Sequence, residues 1–332
     1  MNAPVKSRSK NEAIETVRGL ACLMLVLYHV IGGTPESGLR INDGFWRIAN
    51  DTLAYIRMPL FTFLSGMVYA YRPVDDLSWP FFKEKLRRLL VPMLFVGTLF
   101  FLIQGHSPDT NKAGATSLSL MHIVPVGHFW FIEALLSIFF LIMLLERYKV
   151  LGSWLGCLLA VGASALLVVL SNLLPAHLNY FAVDGLFYLM PFFLSGVATY
   201  RYGPSAASPV SKYYVLAPFA LLLVGILSGQ GVTAPGTKSL FAVVVGITGC
   251  LFVLKHMPIV PHLAFIGGYS YAIYLHHVFF TAAGRIILMR YQVTDIYILM
   301  SSGLALGIAG PILMERYLGH VPVLRTLLFG KK

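Results

Sequence analysis

The sequence predicts an all-α polytopic membrane protein, and two observations support this fold class. First, 57% of the 332 residues are hydrophobic and only 12% are charged, which is about half the charged fraction of an ordinary soluble domain. Second, the apolar residues come in runs of about twenty, the length of a helix that spans the hydrocarbon core of a bilayer. A β-barrel would instead need short alternating segments, and none are visible.

The apolar runs predict a bundle of about ten transmembrane helices joined by short loops. We expect one transmembrane domain over 14–316, with a basic tail on each side at 1–13 and 317–332, because the longest loops, 33–51 and 105–126, are too short to hold a separate core. The first run lacks a small-residue cleavage site, so it is expected to be retained as a helix. The approximate spans are 14–32, 52–71, 89–104, 127–145, 150–172, 181–200, 213–229, 238–254, 263–289 and 295–315.

The distribution of basic residues predicts the orientation. Lys and Arg are concentrated near the two termini and in the loops after the even-numbered spans, whereas the opposite side has fewer, among them Arg40, Arg47 and Arg57. Because cytoplasmic loops are enriched in Lys and Arg, we expect both termini to be cytoplasmic. The net charge of +11 does not indicate a nucleic-acid partner, since the cations cluster at helix ends and form no patch with interleaved aromatics.

The first span contains two ionisable residues, Arg18 and His29, that a membrane helix normally excludes. Such residues indicate a functional site, because a charge near the bilayer centre is costly. They are eleven residues apart, which places them within roughly 20° of one helix face and about 16 Å apart along the axis. Glu15 and Cys22 fall near the same stripe. Alternatively, Arg18 extends to the headgroups and His29 lies at the opposite interface.

A basic amphipathic segment, 81–92, leads into the third span. It places four cations in six positions, at Lys83, Lys85, Arg87 and Arg88. One interpretation is that they anchor the chain to lipid headgroups, at about 1 kcal/mol per cation. The other is that Lys85 and Arg88, one turn apart, bind a polyanion such as a nucleotide phosphate.

The fourth span begins with a tryptophan followed by a buried acid. Trp130 suits the aromatic belt of a membrane interface. Glu133 lies about one turn further into an apolar helix, so it either has a buried partner or carries a proton. Both situations make Glu133 a candidate site residue.

Further polar residues occur in the later spans. His276 and His277 lie in the middle of the ninth span; one such histidine is usually a hydrogen-bonded core residue, but two together indicate a polar cavity. Asp184 in the sixth span is an acid with no partner assigned. Glu315 and Arg316 are expected to pair with each other at the end of the last span.

Segments 58–66 (MPLFTFLSG) and 190–196 (MPFFLSG) resemble each other. Pro at the start of such a segment, with Ser and Gly near its end, is common where membrane helices pack closely. The similarity of the two segments therefore indicates shared packing chemistry more than a duplication.

No spacing in the chain supports a hydrolase nucleophile elbow, a dinucleotide fingerprint or a P-loop. Cys22, Cys157 and Cys250 lie inside apolar spans without metal-ligand spacing, so no metal site is expected. What remains is a helical bundle with a histidine near the exterior and cations at the cytoplasmic mouth. His29 in that position can act as a general base toward a hydroxyl, given a donor that reaches it.

Five segments, in order along the chain, resemble the integral-membrane acyltransferase family three. This family includes O-acetyltransferases of bacterial surface polysaccharides, peptidoglycan and nodulation factors. The resemblance covers nearly the whole chain, although the soluble esterase-like domain of some members is not found in it. The segments are 15–19 with His29, 59–66, 85–92, 128–131 and 270–275 with His277.

The resemblance implies a multi-pass enzyme of the bacterial inner membrane. It would move an acetyl or other acyl group from cytoplasmic acyl-CoA, the donor substrate, to a hydroxyl of an extracytoplasmic glycan or glycolipid, without a metal. His29 resembles the catalytic histidine and Arg18 the arginine of the same span. Lys85 and Arg88 resemble the basic pair associated with the donor, although many members have arginine in place of Lys85. The remaining candidates are Glu133 for catalysis and, as possible cavity residues, Glu15, Trp130, Ser65 and His277.

The residues themselves leave two other classes of function open. The same buried charges suit the path of a transporter or flippase for a lipid-linked sugar, which would move its substrate without consuming CoA. The chain could also be a structural partner in a glycan-assembly complex, in which case Arg18 and His29 would tolerate substitution.

Overall fold

The computed structural model describes residues 5–74, 76–106, 120–173, 175, 179–206 and 209–332, with side chains from residue 12 onward apart from 204–212. Within these ranges the regular secondary structure is helical and there is no β-strand, which confirms the all-α class. Residues 1–4 of the predicted N-terminal tail and residues 107–119 of the predicted loop 105–126 lie outside the described residues.

The described α-helices define the architecture, and short helical turns of other types adjoin them. A π-type turn, Leu86–Leu90, joins the third helix to the fourth, and a 3-10 turn, Gly127–Phe129, precedes the fifth. In chain order the α-helices are α1 (Val5–Ile31), α2 (Gly44–Tyr71), α3 (Trp79–Lys85), α4 (Val91–His106), α5 (Trp130–Arg147), α6 (Trp154–Leu170), α7 (Val183–Ala206), α8 (Ala217–Gly229), α9 (Leu240–His256), α10 (Pro261–Gly268), α11 (Ser270–Arg290), α12 (Ile296–Leu318) and α13 (Pro322–Phe329).

Eight helical segments of the described chain are long and apolar enough to span a membrane. Each corresponds to one of the predicted spans. The other two predicted spans, 213–229 and 238–254, correspond to shorter apolar helices, Tyr213–Gly229 and Leu240–His256. The protein is therefore a multi-pass helical membrane protein, and the expected number of ten is reached only with these two shorter helices.

The predicted ninth span, 263–289, is broken into two helices. Helix α10 ends at Gly268, and Tyr269 (φ −104°, ψ 11°) separates it from α11. The Tyr269 amide donates to the Ile266 carbonyl at 3.0 Å, which closes the last turn of α10. Two successive glycines at the end of α10, each a poor helix former, favour a break at this place.

The described chain divides into two compact units. Unit 1 comprises Met1–Leu53, Val91–Ala115 and His256–Lys332, and unit 2 comprises Ala54–Leu90 and Thr116–Lys255. In unit 1, α1 lies against α10, α11 and α12, and α11 packs along α12. In unit 2, α7 packs against α5 and α6.

Unit 1 is organised around a close crossing of α1 and α10. A Cβ atom on Gly19 would lie 2.0 Å from the carbonyl oxygen of Leu263, and one on Gly267 would lie 2.0 Å from the carbonyl oxygen of Glu15. Only glycine permits such a backbone approach, as is usual where small residues line a membrane helix interface. The crossing therefore fixes the position of the helix that carries Arg18 and His29.

The two similar segments, 58–66 and 190–196, lie in unit 2 and pack against each other. A Cβ atom on Gly66 would lie 2.0 Å from the carbonyl oxygen of Phe193, and one on Gly196 would lie 2.0 Å from that of Phe63. The contact is reciprocal, because each segment places its glycine on the backbone of the other. The two similar segments thus form one close helix crossing in unit 2.

Polar pairs join helices inside unit 2. Arg201 donates from Nη2 to Oε1 of Glu146 at 2.5 Å, and Tyr69 donates its hydroxyl to the same oxygen at 3.2 Å. Lys238 forms an ion pair with Asp184, the acid for which no partner was assigned from the sequence. These contacts satisfy charged groups that would otherwise be costly to bury.

All three cysteines are free thiols in the interior. Cys22 and Cys250 are 0% exposed and Cys157 is 1% exposed. Each lies on a helix, in agreement with their placement inside apolar spans. In the structure they act as small apolar core residues.

Candidate active site

The structure brings His29 of α1 next to His277 of α11, both in unit 1. Their ring centroids are 4.8 Å apart and their planes are tilted by 59°. His29 also meets the ring of Tyr28 edge-on at 4.8 Å. His277 is fully buried and His29 is partly exposed. The accessible imidazole of the pair is therefore that of His29, and it packs against the buried ring of His277.

Backbone hydrogen bonds fix the orientation of the buried histidines. Nδ1 of His277 lies 2.8 Å from the carbonyl oxygen of Ile273 and 3.0 Å from that of Tyr274. Nδ1 of His276 lies 3.0 Å from the carbonyl oxygen of Ala272. A carbonyl only accepts, so each Nδ1 carries the hydrogen and each Nε2 keeps its lone pair. The helix itself therefore selects the tautomer of both rings.

Arg18 forms an ion pair with Glu15 on the same helix. Its Nη1 donates to Oε1 of Glu15 at 2.7 Å, and both side chains are 23% exposed. The pair lies at the α1–α10 crossing, where Gly267 meets the Glu15 backbone. His29 is eleven residues further along α1, about 16 Å by the helical rise. The structure thus places Arg18 and His29 on one continuous helix without joining their side chains.

Two residues that we did not single out from the sequence hold the chain directly after His29. Arg47 donates to the carbonyl oxygen of Gly32 at 2.6 Å, and Asn50 donates to the same oxygen at 3.0 Å. Both side chains are buried, and Arg47 also pairs with Asp51 at 3.3 Å. The available signal was their spacing of three residues, which places an Arg and an Asn on one face at the start of α2.

In unit 2, the two cations of the predicted donor pair have different surroundings. Lys85 places its Nζ 4.8 Å from the ring centroid of Phe81 and 4.6 Å from that of Phe139. Arg88 is 56% exposed and lies 3.8 Å from Glu84. The π-type turn begins directly after Lys85, so the two cations belong to different helical elements and each has its own neighbours.

The other predicted residues of unit 2 lie on α5 and α2. Glu133 is 7% exposed, and its buried Oε2 has no hydrogen-bond partner within the described residues. Trp130 packs its ring against Gly185, where an added Cβ would lie 2.7 Å away. Ser65 donates to the carbonyl oxygen of Phe61 at 2.8 Å. Glu133 thus remains a candidate for chemistry, whereas Trp130 and Ser65 make packing and backbone contacts.

In the part of the chain that the structure describes, no group of three or more His, Cys, Asp or Glu side chains could hold a metal ion. The histidine pair of α1 and α11 is one arrangement in the described residues that is suited to chemistry. A neutral imidazole can take a proton from a hydroxyl or carry a transferred group.

Comparison with known proteins identifies the class. Residues 11–316 match the acyltransferase 3 family model, described as an acyltransferase domain, and the chain belongs to this family. The protein is therefore a membrane acyltransferase, which confirms the resemblance found in the sequence motifs. No solved structure matches the chain significantly.

Three curated relatives show distant similarity. The chain is 24% identical over 313 residues to "Putative membrane-bound acyltransferase YfiQ" of Bacillus subtilis, and the match covers 82% of each chain. It is 24% identical over 168 residues to "Nodulation protein NolL" of Mesorhizobium japonicum (50% of this chain, 43% of that protein). It is 27% identical over 199 residues to NolL of Sinorhizobium fredii (57% and 49%). The matches thus span less than half of each NolL protein.

Proposed function

We propose that the protein transfers an acetyl or other acyl group from cytoplasmic acyl-CoA to a hydroxyl of an extracytoplasmic glycan or glycolipid. In this proposal it resides in a bacterial inner membrane with both termini in the cytoplasm. The observation that carries it is the contact between His29 and His277 in a chain of the acyltransferase 3 family. The name of one relative, a putative membrane-bound acyltransferase, agrees with acyl transfer at a membrane.

In the proposed reaction, His29 takes the proton of the acceptor hydroxyl while the hydroxyl oxygen attacks the thioester carbonyl. The carbon–sulfur bond then breaks, the acyl group stays on the acceptor as an ester, and CoA leaves as the thiol with the released proton. A second route passes the acyl group through the His29 ring and gives the same products. His277 is a positioning residue, because its ring packs on His29 and is itself held by backbone hydrogen bonds.

We assign the phosphates of the donor chiefly to Arg88. Its guanidinium is exposed and only loosely paired with Glu84, and a guanidinium fork suits bidentate phosphate binding. Lys85, packed on two aromatic rings, contributes positive charge behind it. Arg18, held by Glu15, is proposed to orient the donor, and Glu133 remains a further candidate.

The direct test is transfer of labelled acetyl from acetyl-CoA to envelope glycan in membranes that contain wild-type protein or His29→Ala. The proposal expects loss of transfer in His29→Ala. His262→Ala, an exposed histidine on α10, is the matched control and should retain transfer. Undiminished transfer in His29→Ala would remove the catalytic role of His29.

A second test separates the enzyme from a transporter of lipid-linked sugar. CoA should raise the thermal stability of the detergent-solubilised protein, by about 2.7 kcal/mol at a hundredfold excess over its Kd. Arg88→Gln should weaken this stabilisation, whereas Lys83→Gln, an exposed cation of the same segment, should leave it nearly unchanged. Absence of any stabilisation by CoA would favour the transporter.

A further inference from the structure

A cavity at the C-terminal end of unit 1 is lined by none of the residues assigned above to the proposed acyl transfer. Its volume is about 500 Å³, which lies within the range of small-molecule sites. The end of α12, helix α13 and the residues after it form most of its wall. The lining residues that matter for its chemistry are Tyr269, Glu315, Arg316, Arg325, Phe329 and Lys331.

The charged residues of this cavity leave an excess of positive charge. Glu315 forms an ion pair with Lys331, so these two charges offset each other. The expected pair of Glu315 with Arg316 is wrong, because successive residues on a helix do not face each other. The guanidinium groups of Arg316 and Arg325 therefore carry the net charge of the cavity.

Arg316 is held in place by aromatic side chains. Its Cζ lies 5.2 Å from the ring centroid of Phe265 and 5.8 Å from that of Tyr269. Its Nε donates to the Tyr269 hydroxyl at 3.2 Å. The two terminal nitrogens have no hydrogen-bond partner within the described ranges. Arg316 is exposed and lines the cavity, so these two nitrogens are accessible to a ligand.

Arg325 on α13 has no anionic partner in the described part of the chain. Its Nε is buried from solvent and makes no hydrogen bond there. Leaving a charged donor buried and unsatisfied is unfavourable. Because this Nε is closed to solvent, a ligand in the cavity would accept from the terminal nitrogens of Arg325, which make no hydrogen bond within the described residues. The cavity is therefore lined by two guanidinium groups with unpaired terminal nitrogens.

One residue of the cavity wall lies against His276. Phe329 lines the cavity, and its ring lies 5.4 Å from the ring of His276. Helix α13 also packs against α4 and α11, so the wall is supported on several sides. A ligand in the cavity would be separated from His276 by one aromatic ring.

We propose that this cavity binds a phosphate group through Arg316 and Arg325. Planar guanidinium groups donate paired hydrogen bonds to phosphate oxygens, and two such groups match the charge of a phosphate ester. Two sources share this chemistry: the nucleotide phosphates of CoA and the headgroup of an anionic phospholipid. The proposal is independent of the acyl-transfer mechanism, since it concerns binding alone.

The test is equilibrium binding to the purified full-length protein in detergent, with CoA and short-chain phosphatidylglycerol titrated separately. The double variant Arg316→Gln/Arg325→Gln should lose about tenfold or more in affinity for at least one probe, the scale of a hydrogen bond to a charged group. Arg147→Gln, a half-exposed arginine of unit 2, is the control and should bind as the wild type does. Loss for CoA alone assigns the nucleotide source, and loss for the lipid alone assigns the headgroup.

A second double variant is needed because the first could lose binding simply by failing to fold. Arg316→Lys/Arg325→Lys keeps both charges but removes both guanidinium forks, so it should bind more weakly than the wild type while its melting temperature stays close. Arg88→Gln is titrated in parallel, because CoA binding at Arg88 is a separate proposal. Wild-type affinity of both double variants for both probes would overturn the phosphate site, as would failure of the wild type to bind either probe.

Discussion

His277 is a direct neighbour of His29. Its own ring is immobilised by two backbone carbonyls, and it is fully buried. A side chain fixed in this way can set the orientation of the neighbouring imidazole without reaching substrate. This is the function of a supporting residue around a reactive group.

We predict that His277→Asn lowers acyl transfer by roughly tenfold or more, the lower part of the range for acid–base assistance. Initial rates of transfer in membranes check this expectation. His276→Asn is the matched control, since the His276 ring contacts Phe329. A wild-type rate in His277→Asn would contradict the positioning role of His277.

The ion pair of Glu146 with Arg201 is expected to stabilise unit 2. Glu146 is 9% exposed and Arg201 is 17% exposed, so Glu146→Gln leaves a largely buried guanidinium without its counter-charge. We expect a loss of about 3–5 kcal/mol, measured as a lower unfolding temperature in detergent.

Asp76→Asn provides the comparison for the Glu146 substitution. Asp76 pairs with Arg147 at the surface, and its pKa is lowered by the Leu77 amide and by Arg147, so it is charged at neutral pH. Exposed pairs contribute little to stability, and we expect almost no change in unfolding temperature. Equal changes in unfolding temperature for Glu146→Gln and Asp76→Asn would contradict the idea that burial determines how much an ion pair contributes to stability.

Residue types located charged side chains inside the helical segments, but they did not predict the partners of these side chains. The acid Asp184 pairs with Lys238, 54 residues away in the chain, and no local pattern reveals such a pair. Arg47 was counted as a cation of the outer side, yet it is buried against the carbonyl oxygen of Gly32. Partners that are distant side chains or backbone atoms depend on how helices pack, which residue spacing alone does not encode.

At the scale of helices, the crossing of α1 and α10 is a contact that we expect to be sensitive to substitution. We predict that Gly19→Ala destabilises the protein by about 1–3 kcal/mol, the usual cost of overpacking, because the added Cβ would lie 2.0 Å from the Leu263 carbonyl oxygen. The two helices would have to separate, so acyl transfer should fall as well. Thermal unfolding in detergent measures the change.

The control for this crossing is Gly162→Ala on α6. A Cβ atom at Gly162 would meet nothing within 4 Å, and alanine favours a helix more than glycine does. We expect the stability to stay the same or rise slightly. A stable Gly19→Ala protein would show that α1 and α10 can move apart without cost.

The helices themselves could be predicted more reliably than their interruptions. Long apolar runs are sufficient to place a span within several residues, as α12 shows for the prediction 295–315. The break at Tyr269 and the π-type turn Leu86–Leu90 were not predicted. The break lies in an apolar run and the π-type turn lies in an amphipathic segment. The hydropathy pattern continues through both places, so it does not reveal them.

For the whole molecule, the testable expectation is its orientation in the membrane. The excess of Lys and Arg near the termini predicts a cytoplasmic C-terminus and an external loop after α1. A membrane-impermeant thiol reagent should therefore label Glu36→Cys in intact spheroplasts and label Lys332→Cys only after permeabilisation. Both positions are exposed. The reverse pattern would invert the topology and, with it, the proposed direction of transfer.

The burial of all three native cysteines has a practical consequence for such work. Cys22, Cys157 and Cys250 are at most 1% exposed, so the unaltered chain offers almost no background to water-soluble alkylating reagents. Single reporter cysteines can be introduced without first removing the native thiols, each of which fills space in a packed interior. Spectroscopic labels can then follow His29 and the C-terminal cavity in a protein whose core is left intact.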